Sequence, residues 1–242
     1  QFLQRLNELK NDLAAARLPN AAEACFSVQE IIFSVQSRLN LLLNVEGSSR
    51  WFGGLKEFLD TEFLQAFNQN IARCDEQLKV AGTTSDSELN CSDRTLSPSD
   101  FGFHNCLRRR DGSLVFFDFE YFGWDDPAKM ICDFLLHPAM DLSDFLKRRF
   151  LENLISPPNP DRALLERVKT AYPLFGLKWC LIFLNPFLAK YRLQRGINDL
   201  PQREQDDLLQ RQLDKAKLML YNIETAYEGF PYGDGRYACN IG

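Results

Sequence analysis

The stretch that decides how this chain is interpreted runs from residue 100 to residue 120 and reads DFGFHNCLRRRDGSLVFFDFE. It begins with Asp100, reaches Asn105 five residues later, and contains Asp118 near its end. Carboxylate and amide oxygens are ligands that Mg²⁺ accepts alongside phosphate oxygens. A further Asp can orient an attacking hydroxyl and take its proton. These three residues are therefore candidates for metal-assisted phosphoryl transfer.

The residues between Asn105 and Asp118 predict a β-hairpin. Asp111-Gly112 is a strong turn signal, because Gly tolerates the positive φ that tight turns require. Residues 114–117 are apolar, with one Val and two Phe, as expected of a short strand. A hairpin that turns at Asp111-Gly112 brings Asn105 and Asp118 to the same end, where both could reach one cation. Since a carboxylate that ends a buried strand is costly to desolvate, we also expect Asp118 to have a partner.

This stretch resembles the aminoglycoside phosphotransferase and choline kinase superfamily, whose fold is similar to that of protein kinases. The pattern of that family is His-Gly-Asp, four residues, Asn, a hairpin, and then Asp-Phe-Glu. Here Pro98-Ser99-Asp100 stands where the family has His-Gly-Asp, so the leading His is missing. The resemblance covers residues 97–138, although Asp133 comes later than the family spacing would place it.

The resemblance implies roles for the three polar residues. Asp100 would orient the acceptor hydroxyl and take its proton, while Asn105 and Asp118 would bind Mg²⁺ and hold the phosphates of ATP through it. The implied cofactors are ATP and Mg²⁺. The implied acceptor is a small molecule, such as an aminoglycoside, an amino alcohol or a sugar. This resemblance therefore predicts an ATP-dependent small-molecule kinase.

The resemblance also implies a fold that is mainly α with a small β-hairpin, the helical C-terminal lobe of a protein-kinase-like (α+β) fold. Residues 1–80 would be a helical segment, 97–138 the catalytic loop, hairpin and metal-binding segment, and 139–242 the C-terminal helices. Neither G-x-G-x-x-G nor G-x-x-x-x-G-K-[ST] precedes Asp100, so we expect the N-terminal ATP-binding lobe to lie outside this chain. The alternative is a lobe that evolved alone and lost kinase activity.

Apolar residues at helical spacing predict that helices make up most of the chain. Asp126-Pro127 is a good helix start, because Asp caps exposed N–H groups and Pro fits the first turn. The predicted helices are an N-terminal helix closed by Leu18-Pro19, followed by residues 21–43, 55–78, 126–136, 143–154, 161–172, 174–193 and 202–226.

Composition predicts a protein of the cytoplasm. Of 242 residues, 45% are hydrophobic and 25% are charged, as in folded domains. The net charge of −5 argues against nucleic acid or an anionic membrane as a partner. The longest apolar run, residues 174–188, contains Lys178 and Pro186 and is too short to span a bilayer. Seven Cys without a C-x-x-C pair indicate free thiols in a reducing compartment.

Residues near the three candidates have plainer interpretations. We expect His104 to be structural, since the family alignment gives its position no catalytic role, and His137 to end its helix. The two His are far apart in the sequence, so a Cys/His metal cluster is not expected. Glu120 could serve the metal, the substrate or a structural pair. Eight aromatic residues are expected to pack as core rather than to stack on a base: Phe101, Phe103, Phe116, Phe117, Phe119, Tyr121, Phe122 and Trp124.

Charged and polar groups also allow alternatives. Asp100 could be a solvated loop residue, and Asn105 could hydrogen-bond the loop backbone, as Asn does in turns. The run 108–110 of three Arg is expected at a solvated hairpin tip. Three acids near the C-terminus could attract an amine-bearing substrate or could form a solvated helix end. They are Glu224, Glu228 and Asp234.

Two other functional classes stay open. A kinase-like binding or scaffold domain without catalysis would account for the missing His and the missing lobe. A phosphohydrolase could use the same Asp pair, but the sequence lacks the extra His and Asp residues that a two-metal hydrolytic site gathers.

Overall fold

The computed structural model describes residues 2–47, 49–140, 142–155 and 161–226. Within them the predicted class is confirmed: the fold is mainly helical, with two small antiparallel sheets of two strands each. The helices are α1 (Phe2–Leu9), α2 (Val28–Leu43), α3 (Arg50–Glu57), α4 (Leu64–Val80), α5 (Pro127–Leu136), α6 (Asp144–Ile155), α7 (Arg162–Phe183), α8 (Ala189–Gln194) and α9 (Gln202–Ala226). The strands are β1 (Thr95–Ser97), β2 (Cys106–Arg108), β3 (Leu114–Phe116) and β4 (Gly123–Asp125).

Helix α2 begins seven residues later than predicted because a capping box fixes its start. The backbone N–H of Glu30 donates to Ser27 Oγ at 3.2 Å, and the N–H of Ser27 donates to Glu30 Oε2 at 3.3 Å. Backbone groups before Ser27 form hydrogen bonds outside the helix. The Ala21 N–H, for example, donates to the Trp124 carbonyl at 2.9 Å. The prediction of helix from residue 21 is therefore wrong, since those residues are held by tertiary contacts.

Helix α7 runs through Pro173, where the sequence predicted a break between two helices. Proline removes one intrahelical hydrogen bond and disfavours a helix interior. The residues that follow it, Leu174, Phe175 and Leu177, are all fully buried. Burial of this apolar face outweighs the lost bond, and the helix ends only before a 3₁₀ turn at Asn185–Phe187.

The described residues divide into two compact units. The first unit contains the described parts of 2–30 and 86–172, and the second contains the described parts of 31–85 and 173–226. Asp100, Asn105 and Asp118 all belong to the first unit. The geometry of the candidate site therefore depends on the packing within that unit.

The segment before α2 packs along strand β4. Strand β1 pairs with β4 and places Leu96 opposite Trp124. The backbone N–H of Trp124 donates to the Pro19 carbonyl, and its indole N–H donates to the Ala15 carbonyl, both at 2.9 Å. A Cβ atom at Gly123 would lie 2.3 Å from the Pro19 oxygen, so only Gly permits this close backbone approach.

Aromatic rings pack the hairpin and its preceding loop in the first unit. The ring of Phe2 stacks on that of Phe116 with centroids 4.5 Å apart, and Phe101 stacks on Phe134 at 5.2 Å. The prediction of core packing is confirmed for Phe101, which is buried. It is wrong for four other rings, which are 42% to 49% exposed: Phe103, Phe117, Phe119 and Tyr121.

A buried ionic cluster joins β4 to α5. The Lys129 ammonium lies 3.1 Å from Asp125 and 2.9 Å from Asp133, and the side chains of Lys129 and Asp125 are almost fully buried. Burial alone would lower the pKa of Lys129, but the charges of Asp133 and Asp125 outweigh it and raise that pKa. Burial raises the pKa of Asp125 to about 6, although Lys129 opposes the shift. One ammonium is thus shared by two carboxylates.

Helix α5 begins where the sequence predicted. The Asp126 side chain accepts the Ala128 N–H at 2.8 Å, and Pro127 occupies the first turn. The same carboxylate is ion-paired with Arg167, whose guanidinium also donates to the Phe26 carbonyl at 2.8 Å. The start of α5 is therefore tied to both α7 and the residue before the α2 cap.

The six Cys within the described residues are thiols rather than disulfides, as predicted, whereas Cys239 lies outside those residues. Among the helices described, none combines the length and the apolar character needed to cross a membrane.

We expect Lys129→Met to lower the free energy of unfolding by about 3–5 kcal/mol, because it leaves the fully buried Asp125 carboxylate without the ammonium that lies 3.1 Å from it. Lys169→Met is the matched control, since Lys169 pairs with the exposed Glu166 at 2.7 Å on the surface of α7. That exposed pair should contribute about 1 kcal/mol or less. Urea unfolding of the three proteins measures both changes, and equal stabilities of the two variants would contradict a structural role for the cluster.

Candidate active site

The backbone reverses direction immediately before Asp100. The N–H of Asp100 donates to the Pro98 carbonyl at 2.8 Å, which closes a γ-turn around Ser99. Ser99 adopts φ 63°, a left-handed conformation that non-Gly residues rarely take. Two bonds hold it: its N–H donates to Ser97 Oγ at 3.0 Å, and its Oγ donates to the Ala22 carbonyl at 3.1 Å. The turn presents an Asp100 side chain that is 43% exposed.

Asn105 binds both the backbone and the side chain of Asp100. Its Nδ2 donates to the Asp100 carbonyl at 2.9 Å and to Asp100 Oδ2 at 3.2 Å. The alternative expectation, that Asn105 bonds the loop backbone, is therefore confirmed. Because the amide nitrogen is turned toward Asp100, the amide oxygen points away, and it accepts no hydrogen bond from any described residue.

The predicted hairpin is confirmed. Strands β2 and β3 pair with Cys106 opposite Phe116, and the Phe117 N–H donates to the Asn105 carbonyl at 3.1 Å. Gly112 supplies the turn with φ 86°. Asn105 and Asp118 consequently flank the same open end of the hairpin, as the sequence predicted.

Asp118 lies at that end in a strained backbone conformation. Its φ is 65°, in the left-handed region, and its side chain is exposed. Such conformations cost about 1–3 kcal/mol and cluster at functional sites. The expectation that Asp118 would need a partner is wrong, because an exposed carboxylate is not desolvated. Among the described residues none forms a hydrogen bond or ion pair with it.

Two histidines adjoin Asp100, although 33 positions separate them in the sequence. His104 Nε2 lies 2.9 Å from Asp100 Oδ1, and His137 Nε2 lies 3.7 Å from the same oxygen. The two imidazole rings stack with centroids 4.1 Å apart and planes 7° from parallel. Sequence reasoning treated the two residues as unrelated, and no local signal connects them.

The geometry favours hydrogen bonding over metal binding for this group. Asp100, His104 and His137 offer ligand atoms within 4.8 Å of one another. The lone pairs of parallel stacked rings do not converge on a single ion. In addition, the Ala139 N–H donates to His137 Nδ1 at 3.1 Å, which places the proton of a neutral ring on Nε2. A metal ligand would need that nitrogen without its proton.

Acidic residues make the surface around Tyr121 electronegative. A hydrogen bond to Glu120 raises the pKa of Tyr121, and the charges of Glu120, Asp118 and Asp100 raise it further. Asp133, which comes later in the sequence than the superfamily pattern would place it, forms an ion pair with Lys129.

The Arg run 108–110 is exposed at the hairpin tip, as predicted. Glu224 is exposed on α9, while Glu228 and Asp234 lie outside the described residues.

No protein-family model matches this chain, and a search of curated proteins finds no match.

Gly102 provides the space that His104 occupies. A Cβ atom on Gly102 would lie 2.5 Å from His104 Nδ1 and 2.8 Å from Met140 Sδ. The backbone there is extended, with φ −179°, so the requirement for Gly is steric rather than conformational.

We expect Gly102→Ala to displace the His104 ring and to lower the free energy of unfolding by about 1–3 kcal/mol, the usual cost of overpacking. Gly53→Ala is the matched control, since nothing lies within 4 Å of its Cβ position on α3. That substitution should raise stability by about 0.5–1 kcal/mol, because Ala favours a helix interior. Urea unfolding distinguishes the two, and a Gly102→Ala protein as stable as Gly53→Ala would refute the steric requirement.

Proposed function

We propose that this protein is an ATP-dependent phosphotransferase that acts on a hydroxyl of a small molecule. The observation that carries the proposal is the arrangement of oxygen donors at one end of the hairpin. Asn105 is bonded to Asp100 through Nδ2, and Asp118 flanks the same end. A carboxylate for the acceptor hydroxyl and two oxygen donors for a cation are what phosphoryl transfer requires of a protein. The resemblance of residues 97–138 to the aminoglycoside phosphotransferase and choline kinase superfamily supports the same activity.

The chemistry of the donor set fits a hard cation. Mg²⁺ takes oxygen ligands, and Asn105 Oδ1 and the Asp118 carboxylate are oxygen donors without partners among the described residues. These two residues would hold Mg²⁺ with the phosphates of ATP. Bound there, Mg²⁺ would neutralise charge on the transferring phosphoryl group. The left-handed backbone at Asp118 supports this assignment, because strained backbone conformations of this kind cluster at active sites and ligand-binding sites.

Asp100 would act on the acceptor. Its carboxylate is partly exposed, and a hydroxyl bonded to it would be oriented for attack on the phosphoryl group. Asp100 would accept the hydroxyl proton late in the transfer. Most of the rate enhancement would come from positioning, because holding two reactants in line replaces a bimolecular encounter.

A second candidate function is a kinase-like binding domain without catalysis. It is favoured by the hydrogen bonds that Asp100 already accepts. Oδ1 accepts from His104, and Oδ2 accepts from Asn105. A substrate hydroxyl would have to share one of these oxygens. Pro98 at the position of the family His favours the same alternative.

The decisive experiment measures ADP release by the full-length protein with Mg²⁺ and ATP, across amino sugars, choline-type alcohols and plain sugars. We expect acceptor-dependent release from one class, reduced at least about 100-fold in Asp100→Asn, since a general base contributes on that scale. ATP binding should change little in this variant. Full activity of Asp100→Asn, or no release by folded protein with any acceptor, would overturn the proposal, and the second result would favour the binding domain.

Asp118→Asn should weaken Mn²⁺ binding in the presence of ATP about 10-fold or more, because the loss of one charged contact costs about 1.5 kcal/mol. Water-proton relaxation measures the bound Mn²⁺. Asp111→Asn is the matched control, since Asp111 is an exposed acid of the same hairpin and accepts from Ser113 at 2.7 Å. Equal Mn²⁺ affinities in the two variants would remove Asp118 from the proposed metal site.

A further inference from the structure

One oxygen of Asp100 lies near both histidines but is hydrogen-bonded to His104 alone. His104 Nε2 is 2.9 Å from Oδ1, within hydrogen-bond distance, while His137 Nε2 is 3.7 Å away, beyond it. The other oxygen, Oδ2, has a single longer contact, 3.2 Å from Asn105 Nδ2. The two oxygens of this carboxylate are therefore not equivalent.

The surroundings of His104 fix which ring nitrogen carries its proton. His104 Nδ1 is buried and has no partner among the described residues. A proton on Nδ1 would be a buried donor without an acceptor, which disfavours that form of the ring. A proton on Nε2 instead donates to Asp100 Oδ1. The geometry consequently selects the Nε2–H form of the neutral ring.

His137 fixes the ring of His104 in place. It caps the C-terminus of α5, where its own N–H donates to the Asp133 carbonyl at 2.9 Å. The Ala139 N–H holds its Nδ1 at 3.1 Å, so the ring cannot rotate without losing that bond. His104 is stacked on this fixed ring, and Gly102 lies so close to the His104 ring that a Cβ atom there would clash.

We propose that His104 is a positioning residue for Asp100, and that His137 is the platform on which it is held. The Nε2–H of His104 orients the carboxylate so that Oδ2 faces the acceptor hydroxyl and receives its proton. The consequence for rate rests on the proposed function, whereas the hydrogen bond and the stack can be tested without any activity.

The first test determines by NMR which imidazole nitrogen of each His carries the proton. The chain contains two His, so selective ¹⁵N labelling of tag-free protein gives two sets of imidazole signals in a long-range ¹H–¹⁵N spectrum. We expect the Nε2–H form for both rings, and loss of this preference for His104 in Asp100→Ala and in His137→Ala. His137→Phe, which keeps an aromatic platform, should preserve it. An Nδ1–H form of His104 in the unmodified protein, or a His104 signal unaffected by Asp100→Ala, would overturn the proposal.

The second test uses the reaction, once acceptor-dependent ADP release has been measured. His104→Phe keeps a stacked ring and removes the donor, so we expect kcat to fall about 10- to 100-fold from misplacement of Asp100, with KM values nearly unchanged. His104→Gln retains an N–H donor and should recover much of the loss. Unchanged kcat in His104→Phe, or equal losses in both variants, would refute the positioning role. Absence of ADP release with intact His104 signals would count against the phosphotransferase alone.

Discussion

The buried ammonium of Lys129 is the interaction on which the candidate site depends. It binds Asp125 at the end of β4 and Asp133 on α5, and so fixes the helix to the sheet. The C-terminus of that helix carries His137, which stacks on His104 beside Asp100. The buried Lys129 ammonium thus helps to determine the position of the partly exposed Asp100 carboxylate in the first unit. A buried ion pair of this kind contributes specificity of position more than net stability.

The local parts of the site could be predicted from the sequence, because short-range chemistry determines them. Gly112 supplies the positive φ of the hairpin turn, and Asp126 caps α5, each through contacts within a few residues. The proximity of His104 and His137 could not be predicted, since it arises from the packing of α5 against the loop. The start of α2 differs from the prediction although its cause is local: the capping box of Ser27 and Glu30 begins the helix within a segment whose apolar residues also fit a helical spacing upstream.

Ser99 bears on the resemblance to the kinase superfamily. The family pattern has Gly at this position, and here Ser99 adopts a left-handed φ of 63° that Gly would take without strain. Hydrogen bonds to Ser97 and Ala22 offset the cost of the Ser side chain. Pro98 stands where that pattern has His, and the two His that adjoin Asp100 come from other positions, 104 and 137.

The burial of Asp125 gives the first unit an unusual response to acid. In the unfolded chain Asp125 titrates at its ordinary pKa of 3.8, and in the folded protein burial raises that pKa to about 6. The folded state therefore binds the proton more tightly, and the stability that Asp125 contributes is complete below the lower value and lost as pH rises through the higher one. Carboxylates whose pKa is lowered by folding destabilise a protein on acidification, whereas protonation of Asp125 favours the folded form. Asp133 keeps Lys129 paired while Asp125 is protonated.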